Sequence, residues 1–318
     1  MIKLSKKIVV FGGGTGMSNL LTGLKQYPVD ITAVVSVCDD GSSTGILREE
    51  FNIPAVGDIR RVLISLSETS PFLMELFNYR FSTTSDLDGH TIGNLLLTAS
   101  EKITGNLSSG IDSLSKVLNL KGKVLPLTDD NAILIGELID GRIIEGEHNI
   151  TNAKSTIKKV YYKNEVKVNK NVITAIREAD LIIFSMGSLY TSVIPNLLIR
   201  EIVEEIDKCS AKVMYISNLV TQIGETSCFT VSDHVRVLNN YLGKRKLDVV
   251  IANNEEIDNK ILDFYSSTEK KEAVILDKDI LNDIEVIEDK LFNVTESNLI
   301  RHDNIKLGLL ICNYLMKR

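Results

Sequence analysis

Short, near-continuous apolar runs alternate along the chain with stretches whose apolar residues recur at helical spacing. The apolar runs are Lys7–Phe11, Ile31–Val37, Asp180–Ser185, Lys212–Ser217 and Asp248–Ala252. Strands without hydrophobic–polar alternation suit a parallel sheet covered on both faces. Helical spacing predicts helices over Gly16–Gln26, Asp58–Ser67, Pro71–Phe81, Ile92–Ile103, Val172–Ala179, Pro195–Lys208, Asp233–Leu242 and Asn304–Met316. Strand–helix alternation of this kind predicts an α/β fold with a doubly wound, mostly parallel sheet. The chain shows no repeats, no low-complexity tract and no clear linker, so a single domain is expected.

One region departs from this rhythm. From Lys121 to about Lys170 the chain reads as short strands and turns: Lys123–Thr128, Ala132–Ile139, Arg142–Ile144 after Asp140-Gly141, and Val160–Val168 around Lys163-Asn164. Asp-Gly between alternating runs is a hairpin signal, and the region is expected to form an antiparallel β insertion. Its 154–170 segment holds six lysines and one acid, Glu165. Lysines that protect an exposed strand edge account for this better than a nucleic-acid patch.

The chemistry concentrates at strand ends. The first strand runs into Gly12, Gly13, Gly14, Thr15 and Gly16, then into a helix. This geometry aims backbone N–H groups and a helix N-terminus at an anion. The loop is not a P-loop, because no lysine follows at the required spacing. It is not a full dinucleotide fingerprint either: Gly12 and Gly14 fit G-x-G-x-x-G, but the third glycine falls on Met17. The other strands end in Asp39-Asp40-Gly41-Ser42-Ser43, in Gly187-Ser188 through Ser192, in Asn218 with Thr221-Gln222 and Gly224-Glu225-Thr226, and in Asn253-Asn254. Ligands of open α/β sheets bind outside the carboxyl ends of the strands. These clusters predict one extended cleft, lined by small polar groups and suited to phosphate, ribose and sugar.

Asp39 and Asp40 have three readings: ribose recognition, a divalent metal such as magnesium held beside substrate phosphates, or a helix N-terminal cap. They are the only candidates for catalytic groups. Asp58 reads as an N-cap, and Arg60 or Arg61 as a phosphate clamp or as solvated helix arginines. His90 and His302 precede helices without a partner pattern that marks catalysis.

Composition narrows the field. Of the 318 residues, 44% are hydrophobic and 25% charged, with a net charge of −6, so nothing favours nucleic acid or an anionic membrane as partner. Aromatics make up only 6% and Trp is absent, which argues against a base-stacking platform. No apolar run reaches the length of a membrane span, and no signal peptide is evident. Cys38, Cys209, Cys228 and Cys312 are scattered without C-x-x-C, as expected of reduced thiols in a cytosolic protein. An exposed insertion and an apolar C-terminal helix are compatible with a homodimer.

Taken in order, GGGTGMSNLLTGLK, CDDGSSTGILRE, GDIRRVL, HTIGNLLL, GSLYTSVIPNLL, SNLVTQIGET, SDHVRVL and RHDNIKL resemble the CofD-like superfamily, in particular the bacterial YvcK-type gluconeogenesis factors. The match runs from Lys7 to the C-terminus. The resemblance implies a Rossmann-like fold, a cytoplasmic protein, and binding of a UDP-sugar such as UDP-N-acetylglucosamine. It also implies a regulatory role in cell shape and wall synthesis during growth on gluconeogenic carbon sources. Archaeal relatives transfer a phospholactyl group from a guanosine diphosphate donor to a deazaflavin. By motif, the implied ligand positions are Gly13, Gly14, Thr15, Asp39, Asp40, Asn94, Ser188, Asn218 and Arg301; the strand-end reading adds Gly12, Gly16 and Gly187. The chain departs from the family where Ser42 stands in place of a glycine and Thr44 in place of a serine. Three readings follow: a UDP-sugar-binding regulator without turnover, a phospholactate-type transferase using Asp39 and Asp40 with a metal, and a NAD-dependent oxidoreductase. The missing third glycine and the lack of a hydride-transfer partner weigh against the last.

Overall fold

A computed structural model describes residues 5–258, 260–263, 271–295 and 299–317. Seven strands form the main sheet: β1 (Lys6–Gly12), β2 (Val29–Val35), β3 (Lys123–Pro126), β7 (Leu181–Phe184), β8 (Lys212–Ile216), β9 (Val249–Asn253) and β10 (Glu285–Asp289). Their order is β10-β9-β8-β7-β1-β2-β3, and every pairing is parallel. The chain winds outward from β1 through β2 to β3, then crosses back to β7 and winds the other way. The strand order therefore reverses between β1 and β7, the place where doubly wound sheets open a ligand crevice.

All four residues of β7 are buried. Successive strand residues point to opposite faces, so both faces of the sheet are covered. Phe11 and Phe184, paired in register, stack with ring centroids 5.5 Å apart. Helix α1 (Gly14–Leu24) packs against both α3 (Gly57–Leu66) and the C-terminal helix α11 (Asn304–Met316). Local chemistry sets the helix ends. Ser70 caps α4 (Pro71–Asn78), whose first residue is a proline, and Thr91 caps α5 (Ile92–Thr104). Thr230 and Asp233 form a capping box on α10 (Val231–Tyr241).

The antiparallel insertion is a three-stranded sheet of order β5-β4-β6: β4 (Leu134–Leu138), β5 (Ile143–Glu145) and β6 (Ile157–Tyr162), with helix α7 (Glu147–Asn152) between β5 and β6. Gly141 takes a positive φ of 88° in the Asp-Gly turn. The run expected as the insertion's first strand behaves differently: Lys123–Pro126 is β3, the parallel edge of the main sheet beside β2. Its continuous apolar character, Val-Leu-Pro-Leu, fits that buried edge. Three of the six lysines are ion-paired within the insertion, Lys158 and Lys159 with Glu137 and Lys163 with Glu145. The helix expected over Pro195–Lys208 is broken: π-helical Leu189–Val193 and 3-10 Ile194–Leu197 lead into α9 (Arg200–Lys208). Helices α2 (Ser42–Phe51), α6 (Leu107–Val117) and α8 (Lys170–Glu178) complete the layers, and an antiparallel pair, β11 (Phe292–Val294) and β12 (Ile300–His302), leads into α11. Among the described residues no helix is long and apolar enough to cross a membrane.

Candidate functional site

A cleft of about 410 Å³ opens at the carboxyl ends of the strands, over the β1–β7 switch point. The glycine loop forms one wall through Gly13, Gly14, Thr15 and Gly16. Asp39 lines it from the end of β2, Gly187 and Ser188 from the end of β7, Asn218 from the end of β8, and Arg301 from β12. Nine of the sequence-designated positions thus converge on one cavity.

The other three lie elsewhere. Gly12 is the last residue of β1, in register with Val35 beneath the loop. Asp40 points away: its Oδ1 accepts from the His148 backbone N–H at 2.7 Å, at the start of α7. Asn94 is buried behind the cleft, where its Nδ2 donates to Ser43 Oγ (3.2 Å) and its Oδ1 accepts from Arg60 Nε (3.1 Å). Ser43 in turn bonds His90 Nδ1 at 2.9 Å. Arg60 and His90 therefore belong to a buried polar network, whereas Arg61 faces the cleft. Asn94 spends its amide on protein partners, not on the cavity, because the first turns of α2, α3 and α5 bring Ser43, Arg60 and Asn94 together in the interior.

The glycines are required by close approach. A Cβ at Gly16 would overlap the Met186 carbonyl, so α1 lies directly against the loop after β7. Gly16 thereby does the packing that the dinucleotide fingerprint assigns to its third glycine. Gly14 has a φ of +65° and begins α1, whose N-cap Gly13 offers no side chain. The space over Gly13 is taken by the Asp58 carboxylate, which would collide with any side chain there.

Asp58 is not the N-cap expected from the sequence: α3 begins at Gly57 after Val56, and Asp58 lies in its first turn with its carboxylate turned to the glycine loop instead of capping the helix. Its carboxyl is pushed up to about 6, first by burial and then by Asp39; Arg61 and the Gly14 N–H oppose the shift. Arg61 Nη1 donates to it at 2.8 Å. Across the cleft, Glu147 of α7 is pushed up to about 8, first by burial, then by Asp39 and Glu225, against a hydrogen bond from Thr191. Burial thus favours the protonated form of Glu147, which can donate as well as accept. His302 Nε2 donates to the Ser217 carbonyl (3.0 Å), and burial pulls the ring down to about 4, which fixes it as a neutral tautomer. The lining acids Asp39, Asp58 and Glu147 face three basic residues, Arg61, Lys271 and Arg301.

Sequence reading missed Glu147, Glu225 and Gln222 as a set. Glu147 sits in an insertion that folds over the sheet edge, and only tertiary structure brings it to the cleft. Glu225 and Gln222 were visible only as part of a polar strand-end cluster.

The paired aspartates turn to different partners. Asp39 Oδ1 accepts from the Gly41 N–H at 3.0 Å and its side chain lines the cleft, while Asp40 tethers α7. Among the described residues no group of three or more His, Cys, Asp or Glu is disposed to hold a metal ion. The donor set does not fit a resident metal. At the family departure, Ser42 adopts a φ of +42°, the left-handed conformation that glycine accepts at little cost.

Comparison with known proteins agrees with this architecture. Residues 8–299 match the family described as 2-phospho-L-lactate transferase CofD. The gluconeogenesis factor of Bacillus subtilis (strain 168) is 45% identical over 314 residues, covering 97% of this chain and 98% of the relative. That of Halalkalibacterium halodurans is 45% identical over 306 residues, covering 95% and 94%. A crystal structure of a Bacillus halodurans protein superposes with a TM-score of 0.94 at 43% identity, covering 97% of this chain and 99% of that one. The eight ordered motifs, the switch-point cleft and these matches lead to one conclusion: the chain belongs to the CofD family, alongside its gluconeogenesis-factor members.

Proposed function

We propose that the protein binds a nucleotide sugar, a UDP-sugar such as UDP-N-acetylglucosamine, and acts as a regulator through occupancy of the cleft instead of turnover. The observation that carries this reading is the cleft's composition. A glycine loop opens a helix at the switch point, Arg61, Lys271 and Arg301 supply positive charge for a pyrophosphate, and small polar groups suit ribose and sugar hydroxyls. The relatives named gluconeogenesis factor support a role tied to gluconeogenic growth, and we extend it to cell shape and wall synthesis under those conditions. Four free cysteines fit a cytoplasmic location, and the exposed Ile305, Leu309 and Met316 of α11 offer a surface for a homodimer. Magnesium belongs to this reading only as a companion of the ligand's phosphates.

A second reading is a phospholactate-type transferase with a guanosine diphosphate donor, favoured by the description of the matching family. Two assays separate the two. The regulator requires UDP-sugar affinity that falls in Thr15→Ala and Arg301→Ala. The transferase requires product from the guanosine donor and a deazaflavin, and a clean failure there removes it.

A further inference from the structure

Helix α7 is only six residues long, yet carboxylates from outside the insertion hold both its ends. At its start, Asp40 accepts from the His148 N–H, and Gly146 stays bare because a Cβ would overlap Asp40. At its last turn, Thr151 Oγ1 lies between two carboxyl groups, 3.2 Å from Glu225 Oε1 and 3.3 Å from Glu147 Oε1, and shares its one proton between them. Glu225 is 1% exposed. It also accepts from the Tyr190 N–H (3.0 Å), Thr191 Oγ1 (3.0 Å) and Gln222 Nε2 (2.9 Å). Gln222 Oε1 accepts from Ser188 Oγ at 2.7 Å. One buried carboxylate thus joins the loop after β7, the loop after β8 and the insertion helix. Ser188, Thr191, Gln222 and Glu147 all face the cleft.

Four donors meet the cost of burying this group, so each is individually consequential. We propose that Glu225 is a positioning residue that couples occupancy of the cleft to the placement of α7, and through it to the antiparallel insertion. A ligand hydroxyl or phosphate oxygen that engages Ser188 or Gln222 competes for the atoms that orient the Gln222 amide. Rotation of that amide removes one of Glu225's donors and alters its hold on Thr151. The insertion then reports whether the cleft is filled, as a regulator without turnover requires. This coupling rests on the nucleotide-sugar reading above.

Hydrogen exchange of the full chain over segment 146–152, with and without saturating UDP-N-acetylglucosamine, tests it. In the wild type the ligand slows exchange there severalfold. Thr151→Val exchanges faster without ligand and loses the ligand response, while Thr151→Ser, which keeps the hydroxyl, restores both. Glu225→Gln weakens binding by about tenfold, the scale of one lost charged hydrogen bond. Unchanged apo exchange in Thr151→Val, or a ligand response that is absent in the wild type or persists in both Thr151→Val and Glu225→Gln, overturns the proposal. If calorimetry shows that the wild type binds no UDP-N-acetylglucosamine, the nucleotide-sugar reading and the coupling to that ligand fall together, and the apo comparison still decides whether Thr151 tethers α7.

Discussion

Asp58 presses its carboxylate against the backbone of Gly13, leaving no room for a side chain at the mouth of the glycine loop. The N-terminal end of α1 therefore faces one of the protein's own acids, balanced by Arg61 at 2.8 Å. Gly13→Ala should destabilise the fold by about 1–3 kcal/mol through overpacking. In an Asp58→Ala background the same change should cost much less, because its collision partner is gone. Denaturant titration of the four proteins in the cycle measures that coupling, and equal costs in both backgrounds would refute the contact.

Asp58 also makes stability depend on pH. It binds its proton more tightly folded, at about 6, than unfolded, near 3.8. Its proton-linked contribution is therefore fully present below pH 4 and lost as pH rises through 6, a change of about 2–3 kcal/mol by linkage. Asp58→Asn should remove this step from the stability-versus-pH curve, so that the variant gains on the wild type between pH 4 and pH 7. Parallel curves over that window would contradict it.

Glu147 titrates higher, at about 8, and lines the cleft. Ionising it adds a negative charge beside Asp39. Affinity for an anionic nucleotide sugar should fall as pH passes 8 in the wild type but stay level in Glu147→Gln, with the two proteins similar at pH 7. Binding isotherms at pH 7 and pH 9 make the comparison.

Ser42 supplies a test away from the chemistry. Its φ of +42° costs a residue with a Cβ about 1 kcal/mol. Ser42→Gly should raise stability by up to about that amount, less the extra entropy glycine loses on folding. A drop in melting temperature would show that the seryl side chain makes compensating contacts.

Much of this was legible in the chain because it is local. The Val9–Phe11 run, the glycines that follow it and the polar ends of later strands each signal themselves within ten residues, and together they locate the switch-point cleft. Long-range relationships were not legible. Lys123–Pro126 looked like part of the insertion because its neighbours in sequence are; its pairing with Thr32 to Val35 depends on the sheet. Asp40 and Asp39 are adjacent, yet one turns to α7 and the other to the cleft, a divergence that spacing does not encode. Asn94 sits in a motif beside His90, but the convergence of α2, α3 and α5 makes it an internal hydrogen-bonding residue. Glu147 and Glu225 are separated by 78 positions, yet the fold brings them to shared hydrogen-bond partners, Thr151 and Thr191.

Selection of a UDP-sugar by the switch-point cleft can be measured by calorimetric titration of the full chain with UDP-N-acetylglucosamine, GDP and NAD, each with and without magnesium. The UDP-sugar should bind saturably, tighter than either of the others, and about tenfold more weakly in Thr15→Ala and in Arg301→Ala. Tight binding of NAD alone would contradict it.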